Sequence, residues 1–132
     1  MTVDDIKAKY EPRILALMES LGAQAREQGF LSTEPELVLG DEEYLYDMGL
    51  KRNDKFYSVT FTILEEVCRE GEGTGIAFGI NIVSQGGRIV SGMTPYNYTS
   101  QLWLAVDDAE AIEQRFAMLE EATLSDNINW EE

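Results

Sequence analysis

The chain has 132 residues, with 25 acidic and 10 basic side chains and no histidine, for a formal net charge of −15. This charge opposes binding to nucleic acid and to anionic membrane surfaces. The lack of histidine excludes Ser-His-Asp and Cys-His catalysis within one chain, and a single cysteine, Cys68, cannot form an internal disulfide. With a polar, acidic start and no long apolar run, the sequence predicts a cytoplasmic protein without cofactor or metal.

Apolar residues recur every three or four positions near the start and predict a helix over about 3–29. The stripe consists of Val3, Ile6, Tyr10, Ile14, Leu17, Leu21 and Ala25. Pro12 lies inside this stripe and lacks a backbone donor, so we expect the helix either to kink there or to begin there after a short turn. Gly29 is the expected stop.

Residues 30–55 carry a weaker pattern. The short apolar runs 37–39 and 44–46 are compatible with two strands or with one strand and a turn. The polar segment 51–55 predicts a loop that turns at Asn53-Asp54. The acids at 41–43, with Asp47, could hold a divalent cation, but adjacent acids more commonly point into water.

The apolar period changes to two from Phe56, which predicts strands within 56–106. The two clearest runs are Tyr57, Val59, Phe61, Ile63 and Ile76, Phe78, Ile80, Ile82. Gly86-Gly87 predicts a hairpin turn, and residues 101–106 predict a further strand. A helix over about 108–124 follows, because Asp107 can cap it and Ile112, Phe116 and Leu119 form an apolar stripe; a short tail ends the chain.

This order of elements predicts a single α+β domain over residues 1–132. We expect an antiparallel meander of about four to five strands, flanked by an N-terminal and a C-terminal helix that pack mainly on one face.

Charge is distributed unevenly along the chain. Residues 73–106 contain no acid and one base, Arg88, although 25 acids are present elsewhere. We therefore expect a charge-poor sheet with one face under the helices. The other face would present small side chains such as Gly79, which suit contact with a ligand or a second subunit, unless the N-terminal region covers it.

Two groups of residues are candidates for function. The candidates for binding a partner are tyrosines, because tyrosine is enriched at protein interfaces: Tyr44, Tyr46, Tyr96 and Tyr98. The candidates for a sheet-face site or a pocket are Phe78, Asn81, Trp103 and Phe116.

We expect a small acidic protein-interaction module, inhibitor-like or chaperone-like, that is not an enzyme. Its partner would be a protein, basic or a second copy bound through the charge-poor sheet face, with no role for nucleic acid or membrane. The alternative is a small-molecule-binding protein whose pocket lies between sheet and helices. Catalysis by carboxylates or by Cys68 is a weaker third hypothesis.

Overall fold

A computed structural model describes residues 3–40, 43–67, 74–84, 104–105 and 109–124. It confirms the α+β fold predicted from the sequence, with one helix near each end and an antiparallel sheet between them. The elements in chain order are α1 (Val3–Glu27), β1 (Leu31–Ser32), β2 (Glu36–Gly40), β3 (Tyr44–Arg52), β4 (Lys55–Val67), β5 (Thr74–Ser84), β6 (Leu104–Ala105) and α2 (Ala109–Leu124). Within these described segments, neither helix combines the length and apolarity needed to cross a membrane.

The sheet has the strand order β1-β3-β4-β5-β6, and β2 also pairs with β3. Because β4 occupies one edge of β3, β1 and β2 lie one after the other along its opposite edge. The apolar runs 37–39 and 44–46 are two strands, one of the two alternatives that the sequence left open, and they precede the strands predicted from residue 56. The predicted loop 51–55 contracts to the two-residue turn Asn53-Asp54, where Asn53 takes a φ of 57° that asparagine tolerates.

Helix α1 runs through Pro12 without interruption, so the alternative in which the helix begins at that proline is wrong. The helix ends near Gly29, as the sequence predicted. The backbone N–H of Phe30 donates to the carbonyl of Ala25, and that of Gly29 donates to the carbonyl of Arg26, each at 3.0 Å. With Gly29 at a φ of 90°, these bonds form a Schellman cap, which requires a left-handed residue.

The hydrophobic core lies between the sheet and both helices, on the side that we call the inner face. Alternate residues are buried there over 46–50 of β3 and 57–63 of β4, together with Ile80 and Ile82 of β5. Phe116 of α2 joins the layers, because its ring stacks on Tyr10 at a centroid distance of 4.6 Å and contacts Phe61 at 5.8 Å. The buried strand residues of the inner face are Tyr46, Met48, Leu50, Tyr57, Val59, Phe61, Ile63, Ile80 and Ile82.

The alternating positions form the opposite side of the sheet, which we call the outer face. Helix α1 does not cover it, because the apolar stripe of α1 packs on the inner face. The alternative in which the N-terminal region covers the second face is therefore wrong for residues 3–27. The outer face comprises Leu45, Asp47, Gly49, Lys51, Phe56, Ser58, Thr60, Thr62, Leu64, Gly79 and Val83.

Candidate protein-binding face

Strand pairing arranges the outer face in rows that cross β1 to β5. The turn row, nearest the β3–β4 turn, contains Leu31, Lys51 and Phe56. The middle row contains Gly49, Ser58 and Val83, and the acid row contains Glu36, Asp47 and Thr60. Apolar, small and acidic side chains thus follow one another along the strands.

The turn row presents the most accessible apolar surface of the outer face. Leu31 is 74% exposed and Phe56 is 45% exposed. The ammonium Nζ of Lys51, also exposed, lies 5.3 Å from the centroid of the Phe56 ring, in cation–π range. Farther along the strands the face is more buried, and Thr62 is only 6% exposed. The surface open to another molecule is therefore centred on the turn and middle rows.

The middle row has small residues on β3 and β4, Gly49 and Ser58, beside Val83 of β5. The amide of Gly49 donates to Oγ1 of Thr33 at 2.8 Å, and the amide of Thr33 donates to the carbonyl of Gly49 at 3.0 Å. A Cβ at Gly49 would lie 3.7 and 3.9 Å from atoms of the Thr33 side chain, which is ordinary van der Waals contact. The fold thus tolerates a Cβ at position 49, and the absence of one leaves space for approach from outside.

The acid row holds two carboxylates side by side. Asp47 is half-buried, and its β-ladder partner on β2 is Glu36. Burial raises the pKa of Asp47, the neighbouring charge of Glu36 raises it further, and a backbone hydrogen bond at Met48 partly opposes both effects. A nearby cation would stabilise the ionised form of both carboxylates.

No metal centre forms from the described residues, where no three Asp, Glu or Cys side chains gather closely enough to hold an ion. Asp41 and Glu42, two of the acids considered for a cation, lie outside the described residues. Cys68 also lies outside them.

The tyrosines of β3 lie beside α1 on the inner side of the sheet. Tyr46 is 1% exposed and its hydroxyl donates to a carboxylate oxygen of Glu11. This bond lowers the pKa of Glu11, while burial, with the bond, raises the pKa of Tyr46. Tyr44 is half-buried, and its hydroxyl donates to Asp4. Tyr46 is therefore a core residue, and the hydroxyl of Tyr44 is bonded to α1. The other two candidates, Tyr96 and Tyr98, lie outside the described residues.

The predicted pocket residues are only partly described. Phe116 is fully buried against Tyr10 and Phe61, so its ring belongs to the core between helix and sheet. The backbone of Phe78 pairs with Ile63, and that of Asn81 pairs with Thr60. The side chains of Phe78 and Asn81, and the whole of Trp103, lie outside the described part of the chain.

Charged groups at the junction of the helices are paired with one another. Arg13 of α1 bridges two carboxylates of α2, with its Nη1 2.8 Å from Oε1 of Glu113 and its Nη2 against Glu120. Tyr10 donates to Oε2 of Glu113 at 2.7 Å. Burial, with the neighbouring Glu113, raises the pKa of Tyr10 to about 12, and the hydrogen bonds from Tyr10 and Arg13 lower the pKa of Glu113. These groups join the two helices and are engaged within the chain.

Of the outer-face residues, the sequence indicated Gly79 for a second sheet face open to contact and Asp47 for a cation site, whereas it did not indicate Leu31, Gly49, Phe56 and Ser58. Their signal was present in the alternation of Tyr44, Tyr46, Met48 and Leu50 with Gly49 and its neighbours, a period of two that continues to Arg52. A comparison of the chain with protein-family models, with curated proteins and with solved structures finds no match. The role of the outer face is therefore inferred from its residues, their exposure and their charges.

Proposed function

We propose that this chain is a small, non-enzymatic protein-interaction module that binds another polypeptide through the outer face. The observation that carries the proposal is the exposure of Leu31 and Phe56 beside the small residues Gly49 and Ser58. Large apolar side chains in water next to a shallow neutral surface are typical of protein contacts. Both described helices pack on the inner face, so neither of them covers this surface.

The acid row indicates the charge that a partner should present. A basic side chain placed over Asp47 and Glu36 would offset the burial and the repulsion from Glu36 that raise the pKa of Asp47. The excess of 15 negative charges over the chain would also speed the approach of a basic partner, most strongly at low salt. An inhibitor of a basic protein, or a chaperone for one, would have these properties.

Native mass spectrometry of the protein purified gently from its own cells tests this proposal. We expect the chain to carry a bound polypeptide of defined mass, either a second copy or another protein. Gly49→Trp should remove that polypeptide, because an indole at position 49 projects from the outer face where the fold tolerates a Cβ. The matched control is Ala23→Trp, which places the same ring on an exposed position of α1.

Retention of the polypeptide by Gly49→Trp would contradict the proposed role of the outer face, provided that circular dichroism shows both variants folded. A bound small molecule without any polypeptide would favour the alternative, a ligand-binding protein. In that case thermal stability should rise with added ligand.

A further inference from the structure

We propose that the outer face binds a second copy of this chain about a two-fold axis at Gly49, with Lys51 of each copy paired with Asp47 of the other. This inference rests on the proposed function and specifies the partner of the same surface. It follows from the order of charges along β3, where Asp47 and Lys51 lie two residues to either side of Gly49.

Charge decides the direction of the axis. In a symmetric pair of facing sheets, the direction of the two-fold axis decides which rows lie opposite each other. Each row faces either the same row of the second copy or a different one. An axis parallel to the strands would place acid row on acid row and bring four carboxylates together. An axis along the middle row, perpendicular to the strands, reverses the order of rows, so that the turn row of one copy meets the acid row of the other. Only the second arrangement places a cation opposite each carboxylate pair.

The spacing of the residues fits this arrangement. Four residues of a strand span about 13 Å, so Lys51 and Asp47 each lie about 7 Å from an axis at Gly49. A rotation about that axis exchanges their positions. Lys51 would then lie over the Asp47 and Glu36 of the second copy, which face each other across the β2–β3 ladder.

Small side chains on the axis allow the two sheets to approach. Packed sheets lie about 10 Å apart, and bulky residues on the axis would hold them farther away. Gly49 and Ser58 lie in the middle row, where each would meet its own copy. The exposed rings of Phe56 would flank the charged pairs and exclude water from them, which strengthens the attraction between the charges.

The test is sedimentation equilibrium of the purified full chain across micromolar concentrations, with charge-reversed variants. The unmodified chain should be a dimer. Lys51→Glu and Asp47→Lys should each raise the dimer dissociation constant by at least about tenfold, because each places like charges opposite one another twice. The double variant Asp47→Lys with Lys51→Asp should recover dimerisation, since it restores both pairs in reverse.

The control is Lys9→Glu, which makes the same change of net charge as Lys51→Glu at an exposed position of α1 and should leave the dimer intact. A monomeric unmodified chain, or a double variant as weak as the single ones, would overturn the inference. The proposed function is judged separately. If native mass spectrometry finds a different protein that Gly49→Trp releases, the interaction role stands and the second copy is excluded as partner.

Discussion

Carboxylates on the two sides of the sheet have pKa values shifted in opposite directions. Beside the inner face, Glu11 accepts a hydrogen bond from Tyr46, and Glu113 accepts bonds from Tyr10 and Arg13; the pKa of both acids is lowered. On the outer face the pKa of Asp47 is raised by burial and by a second acid. The inner face therefore offsets its charges within the chain, whereas the outer face retains repulsion that an approaching cation would relieve.

The largest effect should come from the packing of the inner face. Phe61 is fully buried against Phe116, so Phe61→Ala should lower the free energy of unfolding by about 3–5 kcal/mol through lost burial and a cavity. The matched control is Phe56→Ala, which removes the same ring five residues earlier on the same strand, on the outer face, where it is 45% exposed. We expect that control to cost less than about 1 kcal/mol. Urea denaturation of dilute protein measures both, and equal losses would mean that the faces do not differ.

A smaller effect should follow from removing one hydroxyl beside the inner face. Tyr46→Phe deletes the donor to Glu11 and should cost about 1.5 kcal/mol at neutral pH, in the range of hydrogen bonds to charged groups. Because the folded pKa of Glu11 is lowered, the stability it contributes is present above its unfolded pKa of about 4.3 and is lost as pH falls through the folded pKa.

The difference between the unmodified chain and Tyr46→Phe should therefore shrink in acid. Urea denaturation at a series of pH values measures it. Repeating the substitution in a Glu11→Gln background should abolish this pH dependence. A difference that stays constant with pH in both backgrounds would mean that the hydroxyl does not act through the carboxylate.

The smallest predicted effect is a gain in stability rather than a loss. Asp47→Asn removes one of two facing carboxylates and should raise the stability of the dilute monomer by about 0.2–1 kcal/mol at neutral pH. Since the folded pKa of Asp47 is raised, its ionisation costs stability as pH rises through that value. The gain from Asp47→Asn should therefore vanish as pH falls.

Glu34→Gln is the control for this change, because it removes an exposed acid between β1 and β2 and should alter stability by less than about 0.5 kcal/mol. Thermal or urea unfolding at matched pH compares the two variants. A loss of stability in Asp47→Asn at neutral pH would show that the outer-face carboxylates do not repel each other.

Much of the fold could be predicted from periodicity alone. The stripes of α1 and α2 and the alternation in β4 and β5 are long enough to define their elements. Strand β3 was harder, because its end is polar and carries Lys51 and Arg52. The strand continues there through contacts that no local pattern specifies: Nη1 of Arg52 donates to the carbonyl of Gln28 at 2.9 Å, and its guanidinium lies over the ring of Phe30.

The candidate site depended on pairing register, which the alternation of β3 indicates but residue type alone does not. Tyr46 was predicted to bind a partner because it is aromatic, yet pairing with Phe61 places it on the inner face. The same register places Asp47 and Gly49 on the outer face. Residue type alone indicates that a side chain suits an interface, but a shift of one residue in the ladder would exchange the two faces.

The bridge between Arg13 and Glu113 also has a consequence for the order of folding. It joins segments at the two extremes of the described chain, whereas the β3–β4 ladder joins neighbours across a two-residue turn. During synthesis the hairpin and α1 emerge first, and the inner face awaits α2 with its buried Ile112, Phe116 and Leu119. A ribosome-bound chain that stops before residue 109 would lack these side chains, so the part of the inner face at Phe61 that Phe116 contacts would not yet be covered by α2.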